Sequence, residues 1–294
     1  MADMSNAQPK LTVVIPARNA AAEIGGQLDA LAAQEWSEPW EVVVVDNGSQ
    51  DRTTEVVESY RDRLPGLLIV DASARAGQAF ALNEGVRAAS SERIAFCDAD
   101  DEIAPGWVAA MGEALARYDF VACRSDASKL NEPWVEETRE GQPPGRLSTT
   151  SFAPYAPFTG SAGLGVQRSV HDALGGFDES MLALFDLDYC LRAYERGIEL
   201  RLVPDALLHY RYRTEFRAIF RQARFYAEHM ALVQRRHEDR SARPRTPWLL
   251  RGWKPILRAL PSVHRRAGRA KLAWHLGWQV GRFVGSARYR VLAL

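Results

Sequence analysis

The chain has 294 residues, 47% hydrophobic and 25% charged, enough for a sizeable packed core and incompatible with global disorder. Its three cysteines, Cys97, Cys123 and Cys190, lie far apart with no CxxC, which argues against a disulfide framework or zinc site and for reduced thiols in a cytoplasm. The formal net charge of zero hides a split: residues 211–294 hold 20 Lys+Arg and 4 Asp+Glu, a net of +16, which leaves 17 and 33, a net of −16, for residues 1–210. Such asymmetry fits an acidic, metal-using body with a basic extension that seeks an anionic surface.

Met1–Lys10 is polar and runs straight into a strand, so no signal peptide is expected there. Leu11–Ile15 reads as the first strand and Ala20–Ala33 as a helix with Ile24, Leu28 and Leu31 on one stripe. Glu41–Val45 is the second strand, a helix runs from Asp51 or Thr53 to about Arg61, and Gly66–Val70 is the third strand. A helix over Gln78–Ala89 follows, then a strand at Ile94–Cys97, a helix from Pro105 to about Arg117 and a fifth strand at Phe120–Cys123. Strands alternating with helices call for βαβ units and a parallel sheet. Ser125–Tyr155, with four prolines, reads as a long functional loop. Order returns at Phe158–Val166, then as a helix across Asp186–Arg196 and two short strands, Glu199–Val203 and Ala206–Tyr210. Thr214–His237 is an amphipathic helix, Arg240–Pro247 a linker, and Val263–Val284 a second helix with Val263, Ala267, Ala270, Trp274 and Trp278 on one face.

The chemistry concentrates where the Ile94–Cys97 strand ends in Asp98, Asp100 and Asp101. Open α/β sheets bind ligands at the carboxyl ends of their strands. Carboxylates this close repel unless a cation neutralises them, and hard oxygen ligands suit Mg²⁺ or Mn²⁺ completed by substrate phosphates. A solvated acidic turn capping the next helix is the plain alternative. Neither GxGxxG nor GxxxxGK[ST] occurs, so the two common nucleotide cradles are missing.

The order and spacing of several segments resemble the family 2 glycosyltransferases. Val13-Val14-Ile15-Pro16 is similar to that family's opening strand, and Val44-Val45-Asp46-Asn47-Gly48-Ser49 with Asp51 and Thr53 to its VDDGSxDxT segment. Gly77, Asn83 and Gly85 match its glycine-and-asparagine helix, and Asp98-Ala99-Asp100 its DxD. Gly175-Gly176-Phe177-Asp178-Glu179 and Asp186-Leu187-Asp188 through Arg192 resemble its GGFDE…EDxDLxxR segment. The match covers roughly residues 11–212. It departs at Asn47 for the second acid of the DD pair, at Leu82 for the arginine usually preceding Asn83, and at Phe185 for the glutamate of the ED pair.

The resemblance implies a GT-A fold, Rossmann-like, with a mostly parallel central sheet, flanking helices and a C-terminal α-helical extension. It implies a catalytic domain over 1–213, its nucleotide-sugar and metal half at 1–124 and acceptor half at 125–213, before a basic helical extension at 214–294. The implied activity is inverting sugar transfer from a UDP-, GDP- or dTDP-linked donor to a hydroxyl of an envelope glycan, lipid-linked or other acceptor. Asp186 is then the base; Pro16, Arg18, Asn19, Asp46, Gly77, Asn83 and Asp98 line the donor; Asp100 and His209 hold Mn²⁺ or Mg²⁺; and Gly160, Gly175, Gly176 and Asp188 face the acceptor.

Plainer roles remain for each group. Asp46 suits an Asx-turn, Asp186 and Asp188 a helix dipole, His209 a satisfied core position, and Gly175-Gly176 a simple turn. A catalytically silent nucleotide-sugar-binding or scaffolding subunit is the alternative from another class, kept alive by Asn47, Leu82 and Phe185. The basic tail, with Trp248, Trp253, Trp274 and Trp278, reads as a peripheral contact with the cytoplasmic face of the inner membrane, or as helices packed on the acidic body. Gly277, Gly281 and Gly285 recur every four residues, a spacing that permits close helix contact. No nucleic-acid recognition module is present.

Overall fold

The computed structural model describes residues 8–138, 146–237 and 252–291. The chain opens with β1 (Leu11–Ala17), α1 (Ile24–Ala32), β2 (Trp40–Asp46), α2 (Thr53–Glu58), β3 (Leu68–Asp71) and α3 (Gln78–Ala88). It continues through β4 (Arg93–Phe96), β5 (Glu102–Ile103), α4 (Trp107–Leu115), β6 (Phe120–Asp126), α5 (Pro133–Glu136), β7 (Ser148–Thr149) and β8 (Pro157–Phe158). It closes with β9 (Leu164–Gln167), α6 (Arg168–Leu174), α7 (Phe185–Glu195), β10 (Arg201–His209), α8 (Phe216–His237), α9 (Trp253–Ala259) and α10 (Arg266–Tyr289). The described residues form two compact units, one of 8–126, 146–147 and 159–210, the other of 127–138, 148–158, 211–237 and 252–291. The expected linker at Arg240–Pro247 lies outside the described residues.

The first unit is built on an eight-stranded sheet ordered β3-β2-β1-β4-β9-β6-β10-β5. The apolar runs of β1 and β2 are buried on both faces, as central parallel strands require. Each fully buried Val, Leu or Ile there contributes roughly 1.5–3 kcal/mol. The β1–β2–β3 registers align Ala17 with Asp46 and Asp46 with Asp71, so these strands end together at one sheet edge. Gly85 lets α3 lie close on this sheet, because a Cβ there would sit 2.3 Å from Val14 Cγ1.

Sequence reasoning about this sheet needs three corrections. The sheet is not parallel throughout, because β9 is inserted between β4 and β6 antiparallel to both. Gly165 makes the insertion feasible, since any side chain would strike Val121 and Met111. The two short strands expected at Glu199–Val203 and Ala206–Tyr210 are one strand, β10, whose register against β6 slips between Val203 and Leu207; Pro204, lacking an N–H, sits in that slip. The helix expected from Pro105 begins at Trp107, since Gly106 at φ 81° breaks the backbone ahead of it.

In the second unit α8 and α10 pack tightly through small residues. A Cβ on Gly277, Gly281 or Gly285 would lie 2.4, 2.1 or 2.5 Å from the backbone oxygens of Phe220, Arg224 and Glu228. Ala223, Ala227 and Ala231 face the same seam. Arg288 closes the far end by donating to Glu228 at 2.6 Å. The expected stripe from Val263 through Trp278 belongs to the packing face only in part: Ala267 and Ala270 are buried, and Trp274 and Trp278 are half-buried. Val263 precedes the helix and is 38% exposed, whereas the four-residue glycine repeat is buried. Trp274 and Trp278 stack on each other, ring centroids 6.0 Å apart. α5 joins this unit through Arg266, which lies over the Trp134 ring and pairs with Glu132 at 3.3 Å.

Gly281→Ala should lower unfolding free energy by about 1–3 kcal/mol in chemical denaturation, because the new methyl must push apart two backbones. Gly26→Ala, on an exposed α1 site with nothing within 4 Å of the new carbon, should instead stabilise by about 0.5–1 kcal/mol. Equal effects at the two positions would refute the close-packed seam.

Candidate active site

The turns after β1 and β2 are stitched together at the carboxyl edge of the sheet. Asn19 takes φ 50°, its Oδ1 accepts the Gln50 N–H at 2.7 Å, and its own N–H donates to Ser49 Oγ at 3.0 Å. The Ala20 and Ala21 amides donate to Thr53 Oγ1 and Asp51 Oδ2. The Thr53 hydroxyl in turn donates to Asp51 and holds that carboxyl below its ordinary range. Asp51, Thr53 and Asn19 thus shape the rim formed by Pro16, which is half-buried, and Arg18, which is exposed. Asp46 closes its own turn by accepting the Ser49 N–H at 3.2 and 3.3 Å.

Asn47 does what an acid cannot. Its buried amide donates to the Ala72 and Arg75 carbonyls at 2.7 and 2.8 Å, while its Oδ1 accepts the Gly77 N–H at 2.8 Å. This clamp fixes the 72–77 loop and with it the N-terminus of α3. Gly77 there has φ 147° and open space where a side chain would stand. The next residue, Gln78, donates from Nε2 to Asp98 Oδ1 at 2.9 Å. Sequence reasoning passed over Gln78; its place as first residue of the helix behind Gly77 was the available signal.

Three carboxylates converge beyond β4. Asp98 is pushed up to about 7 by burial and by the nearby charges of Asp100 and Asp186, against the Gln78 hydrogen bond. Asp186, at the start of α7, is raised by burial, although the Leu187 and Ser161 amides donate to it at 2.8 and 3.1 Å. Gly160 lies against the same side chain, with its missing Cβ 3.5 Å from Asp186 Oδ2. Leu184, just before α7, holds a left-handed φ of 58°, unusual for a bulky residue. His209 ends β10 in register with Glu102, two residues past Asp100, and its Nδ1 lies 3.3 Å from Asp126 Oδ2. Among the described residues no three His, Cys, Asp or Glu side chains cluster as a ready-made metal cage.

Four expected site residues brace the loops around them. Asn83 is buried; its Nδ2 donates to the Phe177 carbonyl and Glu179, and its Oδ1 accepts the Phe177 N–H, all at 2.9 Å. Both of its N–H donors and one lone pair of its oxygen are used on the 177–179 loop. Asp188 is 1% exposed and binds Arg192 Nε at 2.7 Å; that guanidinium also holds the Leu174 and Gly176 carbonyls. Gly175 and Gly176 take left-handed φ of 78° and 72° at the end of α6, and a Cβ on Gly176 would collide with Asn83 Oδ1. Of these four, Asn83, Gly175 and Gly176 line one cavity, while Asp188 is buried away from it. A cavity of about 750 Å³ is lined by Arg75, Asn83, Arg87, Arg168, Glu179 and Arg192. Its guanidiniums are committed to carbonyls or to Glu179, so it reads as the surround of these braces.

With this geometry in place, comparison with known proteins is informative. The family model described as "Glycosyl transferase family 2" matches residues 12–175. The pre-mycofactocin glycosyltransferase of Mycobacterium tuberculosis is 27% identical over 283 residues, covering 88% of this chain and 54% of that protein. Glycosyltransferase AglE of Haloferax volcanii is 33% identical over 211 residues, covering 69% and 67%. The chain spans about half the length of several curated relatives. Among solved structures, mannosyltransferase PcManGT from Pyrobaculum calidifontis, in complex with GDP-Man and Mn²⁺, superposes with a TM-score of 0.66 at 19% identity over 96% of this chain and 88% of that one. That likeness identifies the fold as GT-A. The family model covers more than half of the sequence, and the chain belongs to the family 2 glycosyltransferases.

Proposed function

We propose that the protein transfers a glycosyl group from a nucleoside-diphosphate sugar to an acceptor hydroxyl with inversion, Asp186 serving as base. The observation that carries this reading is the convergence of Asp98, Asp100 and Asp186 beyond β4. One carboxylate within reach of the attacking hydroxyl suffices for a single displacement, whereas hydrolytic glycosidases use a carboxylate pair. Asp186 suits the task because burial raises its proton affinity and two backbone amides hold its orientation. Gly160 leaves room beside its Oδ2 for an acceptor.

The donor set suits a divalent cation: Mg²⁺ or Mn²⁺ is usually held by one or two carboxylates plus substrate phosphates. Asp100, with His209, would hold it, and when bound it would neutralise the leaving diphosphate. The Pyrobaculum calidifontis neighbour, captured with GDP-Man and Mn²⁺, supports this assignment. Asp98, braced by Gln78, would meet the donor's sugar or ribose, while Asp46, Pro16, Arg18 and Asn19 would line the nucleobase pocket. In the same proposal residues 1–213 form the catalytic domain, and the basic 214–294 region makes a peripheral contact at the cytoplasmic face of the membrane. The acceptor is then an envelope glycan or lipid-linked molecule.

A silent scaffolding subunit gains no support from the three motif departures. Asn47 must donate to two carbonyls. Leu82 is fully buried in the α3 core face, and Phe185 packs edge-on against Phe177 at 5.5 Å. Each reflects packing, and Asp46, Asp100 and Asp186 are all retained.

Nucleoside diphosphate release from a panel of UDP-, GDP- and dTDP-sugars tests the assignment. Asp186→Asn should lower turnover by roughly 10²–10⁴-fold with the fold intact; wild-type turnover in that variant would overturn the base assignment. Because the working form of Asp186 is the anion and burial raises its pKa, activity should be lost on acidification at a pH above the ordinary carboxylate value of 3.8. Restoring the family acid by Asn47→Asp should cost about 1–3 kcal/mol of stability, because two buried carbonyls lose their donors. Increased activity without loss of stability would contradict the clamp.

A further inference from the structure

We propose that α9 and the turn after it bind an anionic lipid surface, with the apolar stripe Trp253, Leu257 and Leu260 entering the interface. This rests on the peripheral-contact reading above and names its element and its lipid class. The three residues fall at i, i+4 and i+7, so they share one face of the helix. They are 44%, 63% and 48% exposed, while Ile256 and Ala259 on the neighbouring face are buried at 6% and 4% and anchor the helix to its own unit. Lys254 and Arg258, one turn apart on the other flank of the stripe, are both exposed.

An apolar ridge carrying a tryptophan and flanked by cations that can snorkel is the arrangement of a helix lying in the headgroup plane. Residues 252–291 contain nine Lys+Arg and no Asp or Glu; Arg265, Arg266 and Arg288 pair with Glu137, Glu132 and Glu228, and the exposed Lys254 and Arg258 supply the charge beside the ridge that complements acidic headgroups. Among the described residues no helix is long and apolar enough to cross a bilayer, so the contact is one of surface seating. A second copy of the chain is a poorer occupant. A two-fold contact across the ridge would bring Lys254 and Arg258 against their own counterparts, and like charges there repel.

The full chain is sedimented with vesicles of phosphatidylcholine alone and of phosphatidylcholine mixed with phosphatidylglycerol. Wild type should bind the anionic vesicles at least roughly tenfold more tightly than the zwitterionic ones. Trp253→Ser/Leu257→Ser and, separately, Lys254→Gln/Arg258→Gln should each weaken anionic binding roughly tenfold or more, with melting temperature and nucleotide response unchanged. Equal binding to both vesicle types, undiminished binding by either double variant, or wild-type self-association abolished by the same substitutions would overturn the proposal. Vesicle binding in a protein that responds to no nucleotide would remove the donor-site reading alone, and nucleotide response without vesicle binding would remove only this one.

Discussion

A carboxylate held out of water beside other carboxylates is the constraint on which the edge of the first unit's sheet turns. Asp98 and Asp100 leave β4 at the sheet edge, and Asp186 arrives from the start of α7, distant in sequence. Burial, with the nearby charges of Asp100 and Asp186 added to it, lifts Asp98 to about 7. Bringing such groups together costs free energy that the fold has to meet elsewhere, chiefly in the apolar strands β1, β2 and β4 and the aromatic packing of Phe96, Phe177, Phe185 and Tyr189 behind them. A cation and a diphosphate would relieve that cost.

The polar residues around that edge divide into those that face the site and those that hold it open. Asn47 and Asn83 are alike in chemistry and in use: each spends a carboxamide on backbone groups of a loop, the first on 72–77 and the second on 177–179. Arg192, held by Asp188, performs the same service for the turn at Leu174–Gly176. Glu179 completes the set by receiving Arg75, Arg87 and Asn83. These braces explain why a motif with such fixed spacing contains more polar residues than the chemistry needs.

Much of this was legible in the sequence. Largely apolar runs such as Leu11–Ile15 and Glu41–Val45 announce buried parallel strands, and the acidic cluster after Ile94–Cys97 announces a strand end lined with carboxylates, because both signals are local. The insertion of β9 and the two-residue strand β5 were not legible, since their pairings join segments far apart in sequence and depend on Gly165 and the bend of β10. The bracing contacts of Asn83, Asp188 and the Gly175-Gly176 pair were not legible either, because a motif records which residues occur together and not what each one touches. The seam of α8 and α10 was visible as a glycine repeat, but its strength is set by three backbone oxygens that no spacing reveals.

The most direct test of the carboxylate edge as a donor site is a thermal-shift series with UDP, GDP and dTDP, each with and without Mn²⁺, on wild type and on Asp100→Ala. A ligand of the native state at 100 times its dissociation constant adds about 2.7 kcal/mol, well within reach of such a scan. One nucleotide should raise the wild-type melting temperature, more so with the metal, and the metal-dependent part should vanish in Asp100→Ala while the unliganded melting temperature holds. No shift with any nucleotide, or an identical metal-enhanced shift in Asp100→Ala, would contradict the assignment of this edge.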